Sequence, residues 1–98
     1  MAKTAKAIYD EIVAYIDSNG IAYTNWCAGT TSDAKTRLFK EHNVSDKGVW
    51  IYRSCASAQD ARGIADSLRK LGCEIAPGSG DDSATIIYAY METGSTNP

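Results

Sequence analysis

The chain reads as an α+β domain, with a small three-stranded sheet (about residues 22–30, 49–53 and 84–91) packed against three helices (about 4–18, 33–42 and 58–71). Three observations predict it. Isoleucines recur every four residues at Ile8, Ile12 and Ile16, the spacing of an apolar stripe on a helix. Ala84–Met91 runs with period two, setting Ile86, Tyr88 and Tyr90 on one face and Ile87, Ala89 and Met91 on the other. A Gly or Asn follows each helical stretch, which punctuates the elements in the order α-β-α-β-α-β.

In the first helix Ala5, Tyr9 and Val13 flank the isoleucine stripe. Asn19-Gly20 stops it, because both residues tolerate the left-handed conformation of a C-cap. Ile21–Thr30 holds a strand centred on Tyr23–Ala28 and ended by Gly29. The polar turn Thr30–Asp33 opens the second helix, with Ala34, Leu38 and Phe39 inward and Asn43 as its end. Val49–Arg53 is apolar or aromatic on both faces, the pattern of a central strand covered on each side. Ser57–Asp60 resembles a capping box. Behind it Ala61, Ile64, Ala65, Leu68 and Leu71 keep helical spacing as far as Gly72. Pro77–Asp82 is a turn region, and its lone G-x-G followed by two acids is poor phosphate-loop material. Residues 1–91 form one domain and 92–98 a disordered tail.

A composition of 44% hydrophobic and 22% charged residues is that of a globular core rather than a disordered chain. No apolar run approaches bilayer length and no signal-peptide segment opens the chain, so a cytoplasmic location without a membrane partner is expected. Cys27, Cys55 and Cys73 lack C-x-x-C spacing and His42 is the single histidine, which argues against a zinc site and fits reduced thiols. The net charge of −2 argues against a broad basic face for nucleic acid. The charge is polarised, however: Ile21–Lys70 carries eight Lys or Arg against five Asp or Glu, and four acids with no base follow Lys70. A small or local anionic ligand suits that balance better than a long duplex.

Candidate chemistry concentrates in Asn25–His42. The turn Thr30–Asp33 sits where the free N–H groups of a starting helix point outward, and Arg37 follows one turn later. Together they favour an anion such as phosphate. The structural readings are that Ser32 or Asp33 caps the helix and that Arg37 pairs with Glu41. His42 at a helix C-terminus is favoured there when protonated. Trp50 and Tyr52 share a face and read first as core aromatics, second as a stacking platform.

The runs Cys27–His42 (CAGTTSDAKTRLFKEH), Val49–Arg53 (VWIYR) and Ala61–Leu68 (ARGIADSL) together resemble the second half of the GIY-YIG nuclease motif. The likeness spans Trp26–Leu68, about half of the chain. It implies that Gly29 is the motif glycine, Arg37 the essential Arg and His42 the helix His, one residue further on than usual. Arg37 and His42 are thereby the catalytic candidates. Cys27 stands at the place of the YIG tyrosine and Ala65 at that of the metal-binding Glu, while a helix precedes the match instead of a GIY strand. Permutation would supply that strand, with Ala84–Met91 in its position and Tyr88 or Tyr90 facing the site.

Ala65 has no ligand atom and Cys27 in a strand interior is a small hydrophobe, so hydrolysis is expected to be lost while the anion-receiving half remains. An Ala65 that replaces a native Glu would leave the same pattern. The expectation is a domain binding a nucleotide or short nucleic acid through Gly29, Thr30, Thr31, Ser32 and Arg37, with Trp26, Tyr52 or Tyr88 as stacking surface. No metal ligand and no cofactor is assigned. Two alternatives stand beside it: an active phosphodiesterase with Mg²⁺ or Mn²⁺ on Asp66, Asp81 or Asp82, and a protein-interaction module with a relic site. Size and family suggest a phage-encoded sequestering or adaptor protein, its oligomeric state open to a homodimer.

Overall fold

Two capped helices frame one side of the molecule. Helix α1, Ala5–Ser18, starts where Thr4 Oγ1 accepts the Ala7 N–H at 3.1 Å and ends at Asn19, with Gly20 at φ 67°. Helix α2, Ala58–Leu71, starts where Ser57 Oγ accepts the Asp60 N–H at 3.1 Å and ends at Gly72, φ 120°. Both stops use the left-handed region that glycine enters without a Cβ penalty. The isoleucine stripe of α1 and Ala61, Ile64, Ala65 and Leu68 of α2 are buried, as their spacing predicts. The computed structural model describes residues 4–45, 47–76, 83–94 and 96. The Pro77–Asp82 turn and residues 95, 97 and 98 of the expected tail lie outside them.

The sheet has four strands among the described residues: β1 Trp26–Thr31, β2 Trp50–Ser54, β3 Glu74–Ile75 and β4 Ile86–Met91, in the order β2-β4-β1-β3. Strand β4 is antiparallel to both neighbours, and β3 is parallel to β1. The three-stranded expectation therefore gains a two-residue edge strand, too short to carry a period. Strand β1 starts at Trp26 instead of near residue 22, because Tyr23–Asn25 closes a 3₁₀ turn in which Trp26 N–H donates to Tyr23 O. The expected central strand, β2, lies at an edge, and β4 takes the centre. Side chains on β2 are apolar on both faces because helical segments cover both, which says nothing about which strands pair at its sides.

Pleating divides the core. Trp26, Ala28, Ile51, Ile87 and Ala89 face α1 and α2, whereas Cys27, Tyr88 and Tyr90 face the segment after β1 together with Leu38 and Val44. That segment is helical where a helix over 33–42 is expected, but its winding is not α throughout. Ala34 and Lys35 open it in α-helical form, where Arg37 N–H donates to Asp33 O at 3.1 Å, and Thr36–Glu41 then winds as a π-helix. His42 N–H donates to Arg37 O at 2.9 Å, five residues back, and Asn43 leaves at φ 56°. No described helix is long and apolar enough to cross a membrane.

Candidate functional site

The π winding decides which side chains meet. In an α-helix, residues five apart point about 140° away from each other. The wider π turn brings Arg37 and His42 to one side, so the extra residue between them does not separate them. Both reach the same atom. Arg37 Nε donates to Tyr88 Oη at 3.3 Å, and His42 Nε2 lies 2.7 Å from that oxygen. Tyr90 Oη lies 3.1 Å from His42 Nδ1. Tyr88 Oη accepts from Arg37 on one side and shares a hydrogen bond with Nε2 on the other, so the His42 imidazole bridges the two tyrosine hydroxyls through its two ring nitrogens. The order runs Arg37, Tyr88, His42, Tyr90, from cleft to core.

His42, Tyr88 and Tyr90 are buried, while the Arg37 side chain keeps 19% of its surface exposed. Burial pushes the Tyr88 hydroxyl up to about 12, although the Arg37 guanidinium pulls the other way, and burial raises Tyr90 further. Both are protonated at neutral pH. The hydrogen bond to Tyr88 in turn favours the charged form of Arg37. Opposite Tyr88 in the register stands Gly29, so no β1 side chain fills the space beside it on that face.

Arg37 opens into a cleft of about 230 Å³ whose wall includes Thr30, Thr31, Ser32, Thr36 and Ser83. The sequence places that turn and Arg37 together, and the structure puts them around one space. The amides are less open than expected. Asp33 Oδ1 accepts the Thr36 N–H at 3.2 Å, Asp33 Oδ2 accepts the Thr36 hydroxyl at 2.9 Å, and Asp33 N–H goes to Thr31 Oγ1 at 3.0 Å. These bonds, the Thr36 amide first, hold the Asp33 carboxyl below the usual carboxylate range. Of the two capping candidates, Ser32 and Asp33, it is Asp33 that takes the cap. Glu41 also lines the cleft and sits 3.3 Å from Arg37 Nη1. The attraction for an anion therefore rests on the guanidinium, with two carboxylates opposing it.

Other candidates fall elsewhere. Trp26 is fully buried on the α1/α2 face, with its ring edge against Tyr15 at 6.1 Å, and is removed from any ligand surface. Its place in β1 set it one residue off the Gly29 face, which a strand start at residue 26 fixes. Tyr52 is half-buried on the Arg37 face, beside Tyr88 in the register. Cys27 is buried and its thiol is pushed up to about 11 by burial, so it is an inert core group. Ala65 packs on the sheet face opposite Arg37. Asp66, an alternative metal ligand, is exposed and paired with Arg69 and Lys70. Asp81 and Asp82 lie outside the described residues. Among the described residues no cluster of His, Cys, Asp and Glu is placed to hold a metal ion. Tyr90, expected with Tyr88 on the face of β4 turned to the site, joins the cluster through His42. The period of β4 already put it on the Tyr88 face.

An acid–acid contact lies at the other end of β1. Glu92, whose N–H donates to Asn25 O at 2.7 Å, has its carboxyl pushed up to about 7 by burial and by the hydrogen bond and charge of Glu74. Folded protein then holds a proton that the unfolded chain releases near 4.5. Native stability is expected to fall as pH rises from about 5 to 7, since the native state binds more protons across that window. Urea titrations at several pH values should show the slope in the wild type and its loss in Glu92→Gln. No family model, curated protein or solved structure matches the chain.

Proposed function

We propose that the cleft binds a phosphate-bearing ligand, a nucleotide or a short nucleic acid, without cleaving it, within a GIY-YIG-like domain whose strand order is permuted. The observation that carries the reading is Arg37: a guanidinium braced from behind by Tyr88 and directed into a hydroxyl-lined cleft. Guanidinium groups grip phosphate oxygens through paired N–H donors. Pairing of β4 beside β1, with Tyr88 turned to Arg37, supports the permutation. A binding role without cleavage is supported by Ala65, which is apolar and lies on the far side of the sheet. Glu41 is the internal competitor, and an incoming phosphate replaces it on Arg37.

The test is calorimetric titration with nucleoside mono- and triphosphates and a short oligonucleotide at low salt. A charge-assisted hydrogen bond contributes about 1.5–3 kcal/mol, so Arg37→Ala should weaken binding about 10- to 100-fold. Glu41→Gln should tighten it by removing the competing carboxylate. Binding that survives both Arg37→Ala and 1 M salt would place the ligand somewhere else.

A further inference from the structure

We infer that Tyr52 forms a nucleobase subsite next to the Arg37 cleft and that the ligand is an unpaired stretch of single-stranded nucleic acid. This rests on the cleft reading above and adds the part of the ligand that is not phosphate.

Three half-buried rings form a row on the Arg37 face. Phe39 meets Trp50 edge-on, with centroids 5.2 Å apart and planes at 80°. Trp50 lies parallel to Tyr52, with centroids 5.8 Å apart and planes at 10°. Phe39 closes one end of the row. Trp50 stacks on Tyr52 from one side, and the next residue on that face of β2 in the other direction is exposed Ser54. The register shows what lies in that direction. Tyr52 pairs with Tyr88, which pairs with Gly29, and one step on Ser54 pairs with Ile86, which pairs with Thr31. Thr31 lines the cleft.

The outward face of Tyr52, half-buried Ile86 and the cleft therefore occupy the same end of the sheet. Tyr52 stands opposite Tyr88, one strand spacing of about 5 Å away, and Tyr88 Oη holds Arg37 Nε at 3.3 Å, which brings ring and guanidinium within the span of one nucleoside phosphate. A flat aromatic face accepts any base by stacking, but only an unpaired base presents its face, and a duplex does not. Exposed Lys35 and Lys40 lie on the segment that carries Arg37, and the charge of Lys40 reaches Asp33 on the cleft wall. These charges outside the cleft offer contacts to further phosphates, which favours a strand over a free nucleotide.

The chain itself supplies the reporter. Of its two tryptophans, Trp26 is fully buried and Trp50 is half-buried in the row, so quenching by a ligand reads Trp50. The probes are a ten-nucleotide oligothymidylate, the same length of abasic strand, thymidine monophosphate and a blunt duplex. The oligothymidylate should quench the fluorescence, and the other three should bind at least ten-fold more weakly. Tyr52→Leu should cost ten-fold or more in affinity for the oligothymidylate, leave the abasic strand unaffected and keep the salt slope. Tyr52→Trp should restore stacking. Arg37→Ala should instead lower the salt slope by about one.

Unchanged binding by Tyr52→Leu, or equal affinity for the abasic strand, the monophosphate or the duplex, overturns the single-strand subsite. If Arg37→Ala still weakens binding in that case, the cleft reading stands without it. If Arg37→Ala changes nothing, the cleft reading is the one that fails.

Discussion

His42→Ala is expected to destabilise the domain by about 3–5 kcal/mol, a large share of the 5–15 kcal/mol that holds a chain of this size folded. The side chain fills a buried site and satisfies two buried hydroxyls, Tyr88 at 2.7 Å and Tyr90 at 3.1 Å. Each hydroxyl loses its bond to the imidazole, about 0.5–1.5 kcal/mol apiece, and the cavity left by the ring adds about 2 kcal/mol or more. For a domain of under a hundred residues, each kcal/mol moves Tm by about 4–8 °C, so a fall of more than 12 °C is expected. Tyr90→Phe removes only one end of the chain of hydrogen bonds and should cost about 1 kcal/mol. Thermal and urea unfolding of the two variants measure the difference. A loss under 1 kcal/mol for His42→Ala would mean that water reaches these hydroxyls and that the cluster is open to the cleft. The arrangement also explains why Arg37 is held in place: its brace, Tyr88, is itself fixed by His42 from behind.

What the sequence makes legible follows from what a local pattern is able to encode. The stripe of α1, the capped start of α2 and the two faces of β4 are periodic signals over six residues or more, and each is recovered in the structure. The cleft is legible as well, since Thr30–Ser32 and Arg37 are neighbours in sequence and the strand–turn geometry keeps them so. Strand pairing is not. Nothing in Val49–Arg53 distinguishes an edge strand from a central one once both faces are covered, and β3 is two residues long. The π winding is equally hidden, because a helix wound with one extra residue per turn keeps an α-like composition. It matters more than any other departure, since on α geometry His42 would point away from Arg37 and the Tyr88–His42–Tyr90 cluster would not form. Trp26 shows the opposite failure. Its ring suits a stacking surface, and only the pleat of β1 puts it on the far face.

Ala65→Glu sets the sequence resemblance against the packing. By resemblance, position 65 is where a carboxylate would hold a metal ion, and restoring it should create a divalent-cation site beside Arg37. In the structure Ala65 is 6% exposed, on the α2 face that packs with Ile64, Leu68 and the far side of the sheet, while Arg37 and Tyr88 lie across it. A carboxylate there meets apolar side chains and no cation. An unpaired buried charge is strongly destabilising, so a loss of about 3–5 kcal/mol is expected near neutral pH. Burial raises the pKa of such a group, and the deficit should shrink as pH falls and the carboxyl protonates. Mg²⁺ or Mn²⁺ should neither restabilise the variant nor give it phosphodiester cleavage. Tm measured from pH 5 to 8 with and without the metal reads both expectations at once. A variant of wild-type stability that cleaves a phosphodiester only with the metal would require α2 to reach the Arg37 side of the sheet, against the two-faced core on which the reading of the cleft depends.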